Sequence, residues 1–137
     1  MALTILDAGV LIGVLDASDA HHRGARDALT AALERGDLLA VPASAYAEAL
    51  VAPARRGRDA TRAVDEFLAD LPADVEPITR QVASRAAQLR ARHGARLRLP
   101  DALVLATALH LRADRVITTD AGWPKAGIQV ELIAVEA

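Results

Sequence analysis

The sequence predicts an α/β domain: a parallel β-sheet of about four to five strands, flanked by helices on both faces. Two observations carry this reading. Short apolar runs recur along the chain, and amphipathic helical patterns separate them. Parallel neighbours need a crossover long enough to hold a helix, so alternation of strand and helix signals a parallel sheet covered on both sides. Length adds a third: 137 residues suit one hydrophobic core and leave little room for a second, so residues 1–137 are expected to form a single domain.

Strand signals fall at residues 3–6, 38–41, 75–78 and 115–118, with 128–133 as a fifth. Between them Ala25, Leu29, Ala32 and Leu33 recur at helical spacing. So do Ala60, Val64, Phe67, Leu68 and Leu71, and then Val82, Ala86 and Leu89. Gly36, Gly57 and Gly94 stand where these helices should end, since glycine tolerates the left-handed backbone of a helix stop. Residues 99–111 are apolar on every side, which marks a central, buried helix. Gly9 and Gly13, four residues apart, suit close helix packing.

The hydrophobic fraction of 53% comes mainly from Ala, Leu and Val, with only Tyr46, Phe67 and Trp123 as aromatics. The absence of cysteine excludes a disulfide framework and a thiolate zinc site. Residues 1–6 carry no basic leader, and no uncharged apolar run reaches the roughly 18 residues of a spanning helix. A cytoplasmic protein without membrane association is expected. The net charge of −2 gives no basic tail. Arginines cluster at Arg55, Arg56, Arg58 and Arg62 and at Arg90, Arg92, Arg96 and Arg98, and Lys125 is the only lysine. Arginine's planar fork suits phosphate, although an arginine-rich composition explains the clusters as well.

Four acids stand out because each is isolated. Asp7 ends the first strand and is the only charged residue from Met1 to Leu15. Glu48 is the only charged residue between Leu38 and Ala54, on the helix after the second strand. Asp101 is the only formal charge between Arg98 and Arg112, at the start of the central helix, and Asp120 ends the fourth strand. Each has a structural explanation too: Asp101 after Pro100 makes a good helix start, Asp120 can open a turn, and Glu48 can reach outward. Asp7 resists such an explanation, since a carboxylate in so apolar a segment is costly unless paired or metal-bound. Open parallel sheets bind ligands beyond the carboxyl ends of their strands, which brings Asp7 and Asp120 into one crevice. Oxygen ligands select Mg²⁺ or Mn²⁺. His21, His22, His93 and His110 have no zinc spacing, and no nucleophile elbow, dinucleotide fingerprint or P-loop occurs. What remains is phosphodiester hydrolysis by metal-activated water.

Three segments resemble the PIN domains, and within them the VapC-type toxin ribonucleases. Ile5-Leu6-Asp7-Ala8-Gly9-Val10-Leu11-Ile12 resembles the first-strand motif, and residues 16–22 the acidic, histidine-containing loop that follows it. Ser44-Ala45-Tyr46-Ala47-Glu48 resembles the second motif. Residues 99–108, with Val116-Ile117-Thr118-Thr119-Asp120, resemble the third and fourth in order and spacing. The resemblance implies a PIN fold and a Mg²⁺- or Mn²⁺-dependent endoribonuclease acting on RNA. It implies metal ligation by Asp7, Glu48 and Asp101, with Asp120 as a fourth, assisting acid. Where many relatives carry Ser or Thr directly after the first aspartate, this chain has Ala8, which leaves Thr118 and Thr119 to orient water or phosphate. The VapC likeness further implies a homodimer and a small VapB-like antitoxin that covers the acids. Rival readings are a housekeeping PIN nuclease without an antitoxin, and a non-catalytic PIN-like or receiver-like Mg²⁺-binding module. A receiver expects adjacent acids after the first strand, and Asp7 stands alone.

Overall fold

Each expected strand forms, and each is separated from the next as the apolar patterns require. The computed structural model describes residues 1–135, so the expected domain limit at residue 137 lies outside the described residues. Along the chain run β1 (Leu3–Leu6), α1 (Ala8–Leu15), α2 (His22–Glu34), β2 (Leu38–Pro42), α3 (Ala43–Arg56) and α4 (Arg58–Asp70). Then come β3 (Ala73–Glu76), α5 (Arg80–His93), a 3₁₀ turn at Gly94–Arg96, α6 (Leu99–His110), β4 (Arg115–Thr118) and β5 (Gln129–Leu132). The five strands make one sheet in the order β3-β2-β1-β4-β5, and every neighbouring pair is parallel.

From β1 through β2 to β3 the chain moves one way across the sheet, and α5 and α6 carry it back to β4. Right-handed crossovers put α1–α4 on one face and α5–α6 on the other. Ile5, Leu6, Val41, Val116 and Ile117 are fully buried at the centre. A second cluster joins Val82, Ala86 and Leu89 of α5 to Ala102, Leu105 and Ala106 of α6. Helix α6 also sends Val104 and Ala108 into the main core. Packed from two sides, it is buried almost all round, which is why its sequence has no polar face.

Gly57 (φ 115°) and Gly94 (φ 60°) end α3 and α5 in backbone that other residues adopt at a cost. Gly13 lets α1 approach α2, for a Cβ there would lie 3.1 Å from Ala25 Cβ. One expectation shifts. The third strand is Ala73–Glu76 rather than 75–78: Val75 and Ile78 are 40% and 37% exposed, whereas Ala73 is buried. Pro77 has no N–H to continue the ladder beyond Glu76, and so it ends the strand. No helix among the described residues is long and apolar enough to cross a membrane.

Candidate active site

The sheet reverses direction between β1, whose successor lies on one side, and β4 on the other, and such a switch point opens a crevice beyond the strands' carboxyl ends. Asp7 follows β1 directly, and Asp120 follows β4 with Thr119 between. The two strands are hydrogen-bonded neighbours, with Leu6 beside Ile117, and the Asp7 N–H donates to the Ile117 carbonyl at 3.1 Å. Helix α3 leaves the carboxyl end of β2 and carries Glu48 in its second turn. Helix α6 runs back toward the start of β4, so its first turn, with Asp101, lies at the same end of the sheet.

Asp7 is 8% exposed and held from two directions. Its Oδ1 accepts from the Ala8 N–H at 2.8 Å, capping α1, and its Oδ2 accepts from the Thr118 hydroxyl at 2.7 Å. Roughly half of its lone-pair sites stay open. Burial pushes its carboxyl above the usual range, the two hydrogen bonds oppose this, and the charges of Glu48 and Asp120 add to the rise. Asp101 is pushed up to about 6, first by burial and then by Asp7 and Asp120, with Arg98 and Trp123 pulling it down. Glu48 stands at the rim, exposed on one side. Its carboxyl too is raised, by local loss of solvent and by Asp101, against the pull of Arg98. The four acids therefore share one electrostatic neighbourhood.

Asp120 also makes the turn that its sequence suggested, its Oδ1 accepting from the Gly122 N–H at 2.8 Å. Thr118 is fully buried, and its hydroxyl is committed twice: it donates to Asp7 and accepts from the Asp120 N–H at 3.1 Å. It ties the two strand-end acids together. Thr119 lies against Gly9, where a Cβ would stand 2.1 Å from its hydroxyl oxygen. Helix α1 can dock on the end of β4 only because position 9 is bare.

Two residues escaped the sequence reading. Arg98, at the N-cap of α6, is a cation facing both Glu48 and Asp101. Its place three residues before Asp101 was the available signal. Trp123 turns its indole N–H toward Asp101. That N–H is buried and completes no full hydrogen bond among the described residues. No sequence pattern announced it.

Hard oxygen donors and mutual repulsion suit a hard cation such as Mg²⁺ or Mn²⁺. Among the described residues no three acidic or histidine side chains are gathered into a ready coordination sphere. Mg²⁺ does not require one, because it is commonly bound through one or two carboxylates and keeps several waters. The donor set thus fits such an ion without enclosing it.

The model of the PIN domain matches residues 4–129, and the chain belongs to the PIN domain family. Solved structures agree in fold. A VapBC2 complex from Rickettsia felis, bound to a promoter DNA fragment, superposes with a TM-score of 0.71 at 12% identity, over 98% of this chain and 99% of that one. VapBC-5 of Mycobacterium tuberculosis gives 0.62 at 26% identity, over 98% and 100%. A sarcin–ricin-loop-cleaving VapC toxin of the same organism gives 0.66 at 20% identity, over 82% and 86%. Among curated proteins no sequence match is found.

Proposed function

We propose that this chain is a Mg²⁺- or Mn²⁺-dependent endoribonuclease, the toxin of a VapBC-like toxin–antitoxin pair. The observation that carries the reading is the acid cluster: Asp7, Asp101 and Glu48, on three separate segments, are all raised by burial and by one another's charge. A fold gains nothing from such repulsion, whereas a cation-assisted hydrolase needs it. The toxin assignment leans on relatives of nearly the same length, one of which cleaves RNA.

Asp7, Glu48 and Asp101 would hold the cation, with Asp120 assisting. When bound, it neutralises their charge and acidifies water for attack on the scissile phosphate. Thr118 aims Asp7, and its hydrogen bond favours the charged carboxylate against the burial that raises it. Asp101 serves in its ionised form, so at limiting Mn²⁺, where proton and cation compete for it, cleavage should rise with pH through the region of 6. Arg98 offsets part of the charge at Glu48 and Asp101. An antitoxin would silence the site by presenting a guanidinium to these carboxylates, a bidentate match. The homodimer implied by the VapC resemblance belongs to the same reading.

The test is cleavage of RNA by the purified chain with Mn²⁺ and with EDTA, alongside Asp7→Asn. Losing a partner of a ligand alone costs about 10- to 100-fold, so losing Asp7 itself should cost more than about 100-fold with the fold intact. Cleavage that persists in EDTA, or in Asp7→Asn, would overturn the proposal.

A further inference from the structure

Beside the acid crevice lies a groove of about 530 Å³, walled by the β4–β5 connection and β5. Its size is typical of sites that take small ligands. Asp120 forms one wall, so the groove is continuous with the acids, and Trp123, Lys125, Ile128, Gln129 and Leu132 line the rest. The chain's only tryptophan and only lysine thus share one surface. Trp123 is partly buried and packs against both core clusters, so its ring is a fixed platform, while Lys125 and Gln129 are exposed.

We propose that this groove is a nucleotide subsite: the base next to the scissile phosphate stacks on Trp123, Lys125 meets a neighbouring phosphate, and the Gln129 amide reads the base edge. The inference rests on the ribonuclease reading and extends it to substrate selection. Sequence-specific proteins take unstacked RNA bases on aromatic side chains and hydrogen-bond their edges. Lysine meets phosphate as a point charge on a flexible stem. A nucleotide uses the ring, the amide and the ammonium together. An apolar protein segment would use the ring, Ile128 and Leu132 but would leave the amide and the ammonium without partners. Asp120, which follows β4 and also walls the groove, links the platform to the acids, so a base seated there lies at the carboxyl end of the sheet.

Because Trp123 is the only tryptophan, its emission reports on this groove. Asp7→Asn protein, which binds without cutting, is titrated with single-stranded ribonucleotide decamers of A, U or C, and quenching of the emission is expected. In the otherwise unchanged enzyme, Lys125→Ala should raise KM at least about fivefold and lower the salt slope by about 1. Gln129→Ala should alter the ranking of the three decamers. Trp123→Leu should raise KM by about 5- to 150-fold, the usual range for one lost stacked base. Trp123→Phe should restore most of this, and circular dichroism checks that both variants fold. Unchanged emission, with wild-type KM and ranking in Lys125→Ala and Gln129→Ala, would overturn the subsite while cleavage continued. Emission that moves only with an added protein partner would also overturn it. Absence of cleavage by the unaltered enzyme would instead defeat the ribonuclease reading.

Discussion

At the amino ends of the strands the partners of Asp37 outweigh its burial, whereas at the carboxyl ends burial and mutual charge raise Asp7, Glu48 and Asp101 in spite of the hydrogen bonds that Asp7 accepts and the nearby Arg98. Asp37 receives Arg35 at 2.9 Å and the Thr4 hydroxyl at 2.9 Å. Asp114 receives the Leu3 N–H at 2.7 Å. For Asp37 burial works to raise the carboxyl, but the hydrogen bonds from Arg35 and Thr4 and the charges of Arg35 and Arg115 hold it below the usual range. At the opposite end the same residue type is pushed upward. One sheet thus separates acids that stabilise the fold from acids whose charge is left for something outside it.

The comparison is sharpened by removing one buried hydroxyl at each end. The largest effect is expected from Thr118→Val, which deletes the donor to Asp7 and strands the Asp120 N–H while keeping the shape. RNA cleavage should fall about 10- to 100-fold, as when the partner of a ligand is lost, and Thr118→Ser should recover most of it. Thr4→Val removes the matching hydrogen bond to Asp37 at the amino end. It should cost about 1 kcal/mol in thermal or denaturant unfolding and leave cleavage per folded molecule unchanged. If Thr4→Val impaired cleavage as much as Thr118→Val, the two ends would not be functionally distinct.

Much of this was legible from the sequence, because an isolated charge in an apolar run has few places to go. Asp7, Glu48, Asp101 and Asp120 each stand out in this way; the strand-end rule brings Asp7 and Asp120 into one crevice, and the PIN resemblance is what adds Glu48 and Asp101 to them. Long-range partners were not legible. The bond from Thr118 to Asp7 spans 111 positions, and the contact of Thr119 with Gly9 depends on how α1 docks against β4. The third strand was misplaced because Val75 and Ile78 are apolar yet exposed, while small Ala73 makes the buried contact. Trp123 stands in the sequence only as one of three aromatics, and its place beside Asp101 depends on the path of the β4–β5 loop.

The central claim is that the carboxyl-end acids repel one another until a cation arrives, and the melting temperature of the metal-free protein against pH tests it most directly. Asp101 titrates near 6 when folded, against 3.8 as an ordinary side chain. The folded state therefore holds its proton more tightly, and the contribution of Asp101 to stability declines as pH rises through that window. The wild type, compared with Asp101→Asn in EDTA, should lose ground between about pH 4 and pH 6 and melt lower at pH 7. Mn²⁺ should then raise the wild-type melting temperature with its concentration, as a ligand of the folded state must, and raise that of Asp101→Asn less. The contrary result is an Asp101→Asn protein that melts below wild type in EDTA at pH 7, with neither protein responding to Mn²⁺. Asp101 would then be a helix-start residue stabilised by the dipole of α6, and the four acids would form no site.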